Sequence, residues 1–582
     1  MGTKPPSYAG RACAGARVPA LLTLLVAITA VLAIPLACSG RDARRLNVLL
    51  ISIDSLRADH LDCYGYRSAT GAPTCPNLDR FAKEGVLFEH AVSTTSWTRP
   101  SHLALFTGLP DVAHGAVNDE KGLTPQCVML PEILQGAGYA TAGFFSGPYL
   151  DAKYGFDRGG GFDVYENASG VEQQVEAAIG AAVKSIQSDP DLAPEEKQQR
   201  IRAEVGKVTE DSYHRASTAN RVTDRATRWL DEQKGKSAPF FLFAHYFDVH
   251  YDFAPPEERY AARFWPGGQR PRINGDDFFT REDVEPAMSA ADLAGVESYY
   301  DGEVLWVDEQ VGRLLKHVDE LGLRDDTLVV VVSDHGDEFF EHGTKGHRQN
   351  LFEPTLGVVT MARLPGRLPA GRRVAQRVSL VDVAPTIVDL TGAAAVADRG
   401  AARIEPLVHG MWGRSVLPLV TGEEKGDRDC LGYLFNLWQE KGHPIDVWAL
   451  WTGSRKVVVT RRFEFEDETK QNAPQVRRLK LLERTGLLFD LANDPGERHD
   501  LSNSGAAADA AALARFDATF AAGSALARLL DAFEVGPPPP PLSEFEKLAL
   551  EKLGYTQADL PKPFPKGTAL KLSLLPLPQF PR

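Results

Sequence analysis

Cysteine is scarce in this chain, six in 582 residues, which excludes the disulfide-stapled class of small secreted folds. Cys13 and Cys38 flank an apolar run near the N-terminus. Cys63, Cys75, Cys127 and Cys430 are scattered, and no pair has zinc-finger spacing. Cys63 and Cys75 are the pair expected to couple in an oxidising compartment. An excess of positive charge is also missing: 64 Lys and Arg stand against 78 Asp and Glu, a net charge of −14. That balance excludes a broad nucleic-acid footprint and leaves room for a local cationic pocket. Internal repeats are absent, and at most one segment is long and apolar enough to span a bilayer.

What is present is a globular composition, 43% hydrophobic and 24% charged, at a length that accommodates one large domain and a smaller one. Val18 to Ala37 carries no charge and follows Lys4, Arg11 and Arg17, the pattern of an export signal. It ends at Leu36-Ala37-Cys38-Ser39, similar to a bacterial lipoprotein signal with Cys38 as the lipidated residue. The alternative is an uncleaved anchor, since about 20 apolar residues span a bilayer. Both readings predict an exported protein, periplasmic or on the outer surface, tethered to the membrane through Cys38 or through residues 18–37.

Leu46 to Ile53 is short, apolar and β-branched, the pattern of a buried parallel strand. It ends at Asp54, and in open α/β sheets functional groups gather at the carboxyl ends of strands; an Asp there also serves as a plain turn residue. Pro76 to Phe88 reads as a helix with Leu78, Phe81 and Ala82 facing inward. In the stretch Ser93 to Gly108, Pro100 fixes its own φ and needs no N–H in a first turn, so a helix is expected to start there. Thr98 then precedes the first turn, either capping it or presenting its hydroxyl to an anion drawn to the helix terminus.

Pro131 to Gly138 reads as a helix and Tyr139 to Phe145 as a strand. Residues 170–234 are polar and helix-prone, and are expected to form peripheral helices. Pro239 to Ala244 is a strand running into His245-Tyr246-Phe247-Asp248-Val249-His250. Tyr300 opens a helix whose Val307, Val311, Leu314, Leu315 and Val318 form a core-facing stripe. Thr327 to Val332 is a second buried strand, followed by Ser333-Asp334-His335-Gly336-Asp337 and then by His342, Lys345 and His347. This alternation predicts a doubly wound α/β sheet. Trp448 to Thr460 and Gly486 to Asp490 read as antiparallel strands of a smaller subdomain, Gly536 to Pro541 as a polyproline linker, and Leu542 to Tyr555 as a short helix.

The string Thr98-Arg99-Pro100-Ser101-His102, followed by Leu105-Phe106-Thr107-Gly108, resembles the signature of the sulfatase family in the alkaline phosphatase superfamily. So, in order, do the segments at Asp54, at His245 to His250, at Asp334-His335, at Lys345-Gly346-His347, at Ser379 to Gly392 and at Leu488 to Glu497. The resemblance covers about residues 45–501. It implies an α/β fold, an alkaline-phosphatase-like doubly wound sheet with a smaller C-terminal α+β subdomain. The expected division is residues 1–44 as export signal or anchor and linker, 45–392 as catalytic domain, 393–501 as subdomain and 502–582 as a helical and Pro-rich tail.

Three positions depart from the family pattern. Thr98 stands where the family has a Cys or Ser that becomes formylglycine, His102 where it has Arg, and Ser55 where many members have a second Asp. Thr cannot become formylglycine, so the resemblance implies an unmodified hydroxyl nucleophile, which in this superfamily is typical of phosphodiesterases, phosphonate hydrolases and phosphoethanolamine transferases. It further implies one divalent metal held by Asp54, Thr98, Asp334 and His335. Two carboxylates, an imidazole and a hydroxyl suit Zn²⁺ or Mn²⁺, with Ca²⁺ as the alternative. His250, His347 and His102 are the implied catalytic partners of Thr98, with His245 and Lys345 in substrate binding.

The expected activity is metal-dependent hydrolysis of phosphate- or sulfate-type esters, phosphoesters or phosphonate esters first. The expected partners are an anionic ester, whether small molecule, glycan or lipid, and the membrane at the N-terminus, with no nucleic acid. The alternatives are phosphotransfer to a glycan or lipid acceptor and a non-catalytic anion-binding homologue.

Overall fold

Apolar strands that alternate with amphipathic helices have one way to bury both faces, a sheet between two helical layers. The computed structural model of the protein has this arrangement. It describes residues 45–531 except 118–121, 124–126, 148, 158–160, most of 171–217, 276–277, 279–280, 394–411, 437–444 and 469–475. The chain divides into two compact units, Met1–Arg45 and Leu46–Arg582.

Eight strands form the main sheet: β1 (Asn47–Ile53), β2 (Val86–Phe88), β3 (Ala140–Phe145), β4 (Val164–Asn167), β5 (Phe240–Tyr246), β6 (Thr327–Ser333), β7 (Thr360–Arg363) and β8 (Arg372–Val374). Their order is β8-β2-β7-β6-β1-β5-β3-β4. The five strands from β6 to β4 are parallel, and β7 is antiparallel to both of its neighbours. β1 is central, and its side chains alternate between two cores. Val48 and Leu50 face one layer with Leu105, Phe106 and Ile387. Leu49, Ile51 and Ile53 face the other with Leu78, Phe81, Val307 and Val311. Burying each such aliphatic side chain contributes roughly 1.5–3 kcal/mol.

The helices are α1 (Pro76–Glu84), α2 (Thr98–Thr107), α3 (Ala219–Gln233), α4 (Ala290–Glu320), α5 (Val383–Thr391) and α6 (Ala507–Asp531). Three boundaries differ from the sequence expectation. The helix expected to reach Phe88 stops at Glu84, because Gly85 lets the chain close on β7: a Cβ there would meet Ala362 O at 2.3 Å. Val86-Leu87-Phe88 is then free to become β2. Helix α2 starts at Thr98, with Trp97 as an extended N-cap and no side-chain cap, so Thr98 lies inside the first turn and not at the cap position. Helix α4 begins ten residues before Tyr300, where Ser289 accepts a hydrogen bond from Asp292 N at 3.1 Å. Of the peripheral helices expected over 170–234, α3 is the long one among the described residues.

The C-terminal part is an antiparallel sheet of β9 (Cys430–Asn436), β10 (Ile445–Thr452), β11 (Arg455–Glu468) and β12 (Val476–Asp490), in that order. Helix α6 covers one face, with Ala512, Phe516 and Phe520 packed on Tyr433, Trp448 and Val459. β9 was not expected from the sequence, and α6 falls in the stretch expected as a helical tail, where no bounds were given for it. The polyproline linker and the helix at 542–555 lie outside the described residues.

The expected localisation is corrected. No helix among the described residues is long and apolar enough to cross a membrane, so a transmembrane tether and the membrane-bound placement built on it are not retained. Residues 18–37 and Cys38 lie outside the described residues.

Candidate functional site

Strand register brings the site together. Ile53 of β1 is level with Tyr246 of β5 on one side and with Ser333 of β6 on the other. The residues that follow, Asp54 and Asp334-His335, therefore emerge side by side at the carboxyl end of the sheet, where side chains are no longer held in the pleat. Asp54 N donates to Tyr246 O at 2.9 Å, which fixes the exit of β1. Ser55 follows with a φ of 53°, and its N–H points at Asp334 Oδ1, 3.1 Å away. His335 N donates to the same oxygen at 2.8 Å.

Helix α2 enters from the loop 93–97. Thr98 Oγ1 donates to Asp54 Oδ2 at 3.3 Å and lies 3.3 Å from His335 Nε2. One turn on, Ser101 Oγ donates to Asp334 O at 2.8 Å, so the helix is tied to the β6 end as well. All ten residues of α2 are buried. The loop before it is braced from three sides: Arg348 N donates to Ser96 O, Tyr433 N of the C-terminal sheet donates to Thr94 O, and the Arg348 guanidinium lies over the Trp97 ring at 4.2 Å.

Asp54, Asp334 and His335 bring one ligand atom each within 4.8 Å of one another, and His335, Asp337 and His347 do the same. Burial is nearly complete: Asp54 and His335 are 0% exposed and Asp334 1%. Loss of solvation drives both carboxyls far above the aspartate range; the Asp337 charge adds to the shift of Asp54, and the Asp54 charge to that of Asp334. The imidazole of His335 is pushed far down by burial and then by His347. Asp334 Oδ2 has no hydrogen-bond partner. Two buried carboxylates and a neutral imidazole pointed at one volume, with an orphaned oxygen among them, fit a divalent cation.

The other expected residues divide into groups. His347 Nδ1 bonds to Asp337 Oδ1 at 2.6 Å, and its ring lies 4.3 Å from that of His335 and 5.0 Å from that of His250. His250 Nδ1 bonds to Tyr251 O at 2.5 Å. His245 Nε2 is 3.4 Å from Asp54 Oδ2, and burial holds this imidazole down at about 3. His102 uses both ring nitrogens within the scaffold: Nδ1 on Thr98 O and Nε2 on Ser52 Oγ, each at 2.8 Å. Lys345 donates to Arg281 O and Val284 O at 3.1 and 2.6 Å, so its ammonium is engaged by a neighbouring loop.

Four contributors were missed by the sequence reading. Asp337 orients His347, and its signal was its place two residues after His335. Ser52 holds Nε2 of His102, whose Nδ1–H is set by the Thr98 carbonyl. Arg57 donates to Asp337 O at 2.9 Å and pairs with Asp59 and Glu341, and Tyr300 pins the turn after Asp54; neither has a sequence signal, because both contacts span more than 240 residues.

The sulfatase family profile matches residues 46–393. Steryl-sulfatase of Mus musculus is 26% identical over 570 residues, covering 83% of each chain. The multifunctional alkaline phosphatase superfamily protein PehA of Trinickia caryophylli is 26% identical over 412 residues, 60% of this chain and 74% of its own. The crystal structure of the phosphonate monoester hydrolase of Agrobacterium radiobacter superposes with a TM-score of 0.56 at 22% identity, over 83% of this chain and 96% of that one, a likeness of fold. A profile that spans more than half of the chain, relatives matched along most of their length and a buried metal-ligand triad at the strand ends lead to one conclusion: the chain belongs to the sulfatase family, as a metal-dependent hydrolase of phosphate- or sulfate-type esters.

Proposed function

We propose that this chain cleaves phosphate or phosphonate esters with the Thr98 hydroxyl as nucleophile. The observation that carries the proposal is the position of Thr98 Oγ1, buried and 3.3 Å from both Asp54 Oδ2 and His335 Nε2, in a family whose usual nucleophile Thr cannot form. A divalent cation held by Asp54, Asp334, His335 and Thr98, with Zn²⁺ or Mn²⁺ suiting this donor set better than Ca²⁺, would make the hydroxyl more acidic and polarise the ester.

The Thr98 proton leaves along its hydrogen bond to Asp54 Oδ2. Thr98 Oγ1 bonds to phosphorus as the bond to the leaving oxygen breaks, which gives a phosphothreonine that water then hydrolyses. His347, steadied at Nδ1 by Asp337, and His250, steadied by Tyr251 O, act on the leaving and equatorial oxygens. His245 lines the same space beside Asp54. His102 is a positioning residue that holds the first turn of α2 through Thr98 O, and Lys345 positions the loop before His347. The likeness to the phosphonate monoester hydrolase of Agrobacterium radiobacter favours phosphorus esters; the similarity to steryl-sulfatase keeps a sulfate ester among the substrates to be tried. We also propose residues 45–392 as the catalytic domain, 393–501 as the C-terminal subdomain and 502–582 as the tail, of which α6 packs on the subdomain sheet.

The test reconstitutes the protein separately with Zn²⁺, Mn²⁺ and Ca²⁺. Turnover is recorded on chromogenic phosphate mono- and diesters, a phosphonate monoester and a sulfate ester. Thr98→Ala should lower turnover on the order of 10³-fold or more with an unchanged circular dichroism spectrum, and Thr98→Ser, which keeps a hydroxyl, should retain part of it. Wild-type rates in Thr98→Ala would remove the nucleophile assignment, and a sulfate ester as the best substrate would remove the phosphorus-ester preference.

A further inference from the structure

Away from the strand ends, the segment that leaves Asp54 makes two 3₁₀ turns, Ala58–His60 and Asp62–Tyr64, and enters α1 at Pro76. There Cys63, Cys75 and Asp79 bring one ligand atom each within 4.8 Å of one another. Cys75 is the N-cap residue of α1 and Asp79 lies four residues on, so both side chains fall on one face of the helix. Cys75 Sγ donates to Asp79 Oδ1 at 3.4 Å and to Asp62 Oδ2 at 3.8 Å. Asp62 Oδ2 is itself held by Thr74 N and Thr74 Oγ1 at 2.8 and 3.1 Å. Both thiols are unlinked; Cys75 is buried and Cys63 half-buried, which leaves the cluster one open side.

Two chemistries compete for such a pair, thiol–disulfide exchange and cation binding. Exchange needs a thiolate, and reactive cysteines sit in electropositive surroundings. Here the surroundings are electronegative. Asp62 and Asp79 touch the buried sulfur, and Asp308 of α4 approaches the same helix end, accepting from Asn77 N at 2.9 Å and Leu78 N at 2.8 Å. The carboxylates that suppress thiol attack are the groups that attract a cation, and sulfur donors select a thiophilic one over Mg²⁺, Ca²⁺ or Mn²⁺.

We propose that Cys63, Cys75 and Asp79, with Asp62 beside them, form a second cation site of structural type for a thiophilic divalent metal such as Zn²⁺, separate from the triad of Asp54, Asp334 and His335. Binding releases the two thiol protons to solvent as two metal–sulfur bonds form. The ion closes the loop between residues 63 and 79, and so clips the segment leaving Asp54 to the N-terminus of α1. Cysteine spacing could not signal it, because one of the ligands is a carboxylate and the two thiols are twelve residues apart.

Co²⁺ is the probe, because a thiolate-to-cobalt absorption band arises from sulfur ligands and is blind to the oxygen and nitrogen ligands at the strand ends. Titrated into the whole reduced protein, Co²⁺ should produce this band, and added Zn²⁺ should abolish it. Cys63→Ser and Cys75→Ser should each lose the band, Cys127→Ser should keep it, and Zn²⁺ should raise the melting temperature of the wild type more than that of the Cys63→Ser, Cys75→Ser double variant. Absence of the band with both thiols titratable on unfolding overturns the proposal. So does a Cys63–Cys75 disulfide in the protein as isolated, seen as the loss of two hydrogens in mass.

Discussion

Tyr300 delivers its hydroxyl to the turn behind Asp54, donating to Ser55 O at 2.9 Å and accepting from Arg57 N at 2.8 Å. The side chain is fully buried, so no water can replace it. Tyr300→Phe should leave one buried carbonyl and one buried N–H unpaired and lower stability by about 1–3 kcal/mol. The urea midpoint should fall with the slope unchanged, and affinity for the catalytic cation should fall with it, since the turn sets the angle of Asp54. A midpoint equal to wild type would mean that the turn holds itself. Such a residue marks the limit of sequence reading at this scale. Asp54, Thr98, Asp334 and His335 were legible because each stands at a strand end or a helix start, positions with a local pattern. Tyr300, Ser52 and Arg57 act across 50 to 280 residues, and nothing in their own neighbourhood records the partner. His102 was legible as a neighbour of Thr98, but its commitment to Ser52 and to the Thr98 carbonyl belongs to packing.

Helix α1 has no side-chain cap of its own, and its first N–H groups are taken by Asp308, a residue of α4: Oδ2 accepts from Asn77 N and Nδ2, and Oδ1 from Leu78 N. Burial raises the Asp308 carboxyl from the usual 3.8 up to about 7, against the lowering effect of those hydrogen bonds. The folded state therefore holds a proton that the unfolded state gives up between these two values. The stability it confers is present below 3.8 and is lost as pH rises through 7. Asp308→Asn keeps a neutral acceptor at every pH, so the urea midpoint of the wild type should fall relative to that of the variant between pH 5 and pH 8; parallel curves would show that the caps already favour the charged form. At this scale the long buried strands β1, β5 and β6 were legible, since runs of β-branched and aromatic residues leave little choice. Ends were less so. The helix expected to continue to Phe88 breaks because Gly85 must approach β7, and β9 went unseen because its apolar face makes sense only against α6, whose bounds the expectation of a helical tail did not give.

The C-terminal sheet is joined to the catalytic sheet by one buried ionic knot. Lys456 of β11 is without solvent exposure and reaches Glu353 Oε1 at 2.9 Å and Glu497 Oε1 at 2.7 Å; Trp451 Nε1 donates to the same Glu353 oxygen at 2.8 Å, and Glu353 N donates to Glu497 Oε2 at 2.6 Å. Glu353 opens the short helix Glu353–Leu356, whose Thr355 carbonyl accepts from Gly336 N, one residue past His335. The knot thus connects the subdomain to the strand-end triad through the backbone. Lys456→Met removes the cation and leaves the fully buried Glu497 unpaired, which should cost about 3–5 kcal/mol. Burial then raises the Glu497 carboxyl further than in the wild type, where Lys456 opposes the shift. A raised carboxyl stabilises the fold below the usual glutamate value and loses that contribution as pH rises, so the deficit of the variant should shrink on acidification toward pH 4 and be largest near neutrality. Leu46–Arg582 forms one compact unit, and protection of the β10 and β11 amides from hydrogen exchange should be lost on heating together with ester turnover in the wild type and in the variant. A subdomain transition that comes first, with turnover intact, would show that the knot anchors the C-terminal sheet without supporting the catalytic end of the fold.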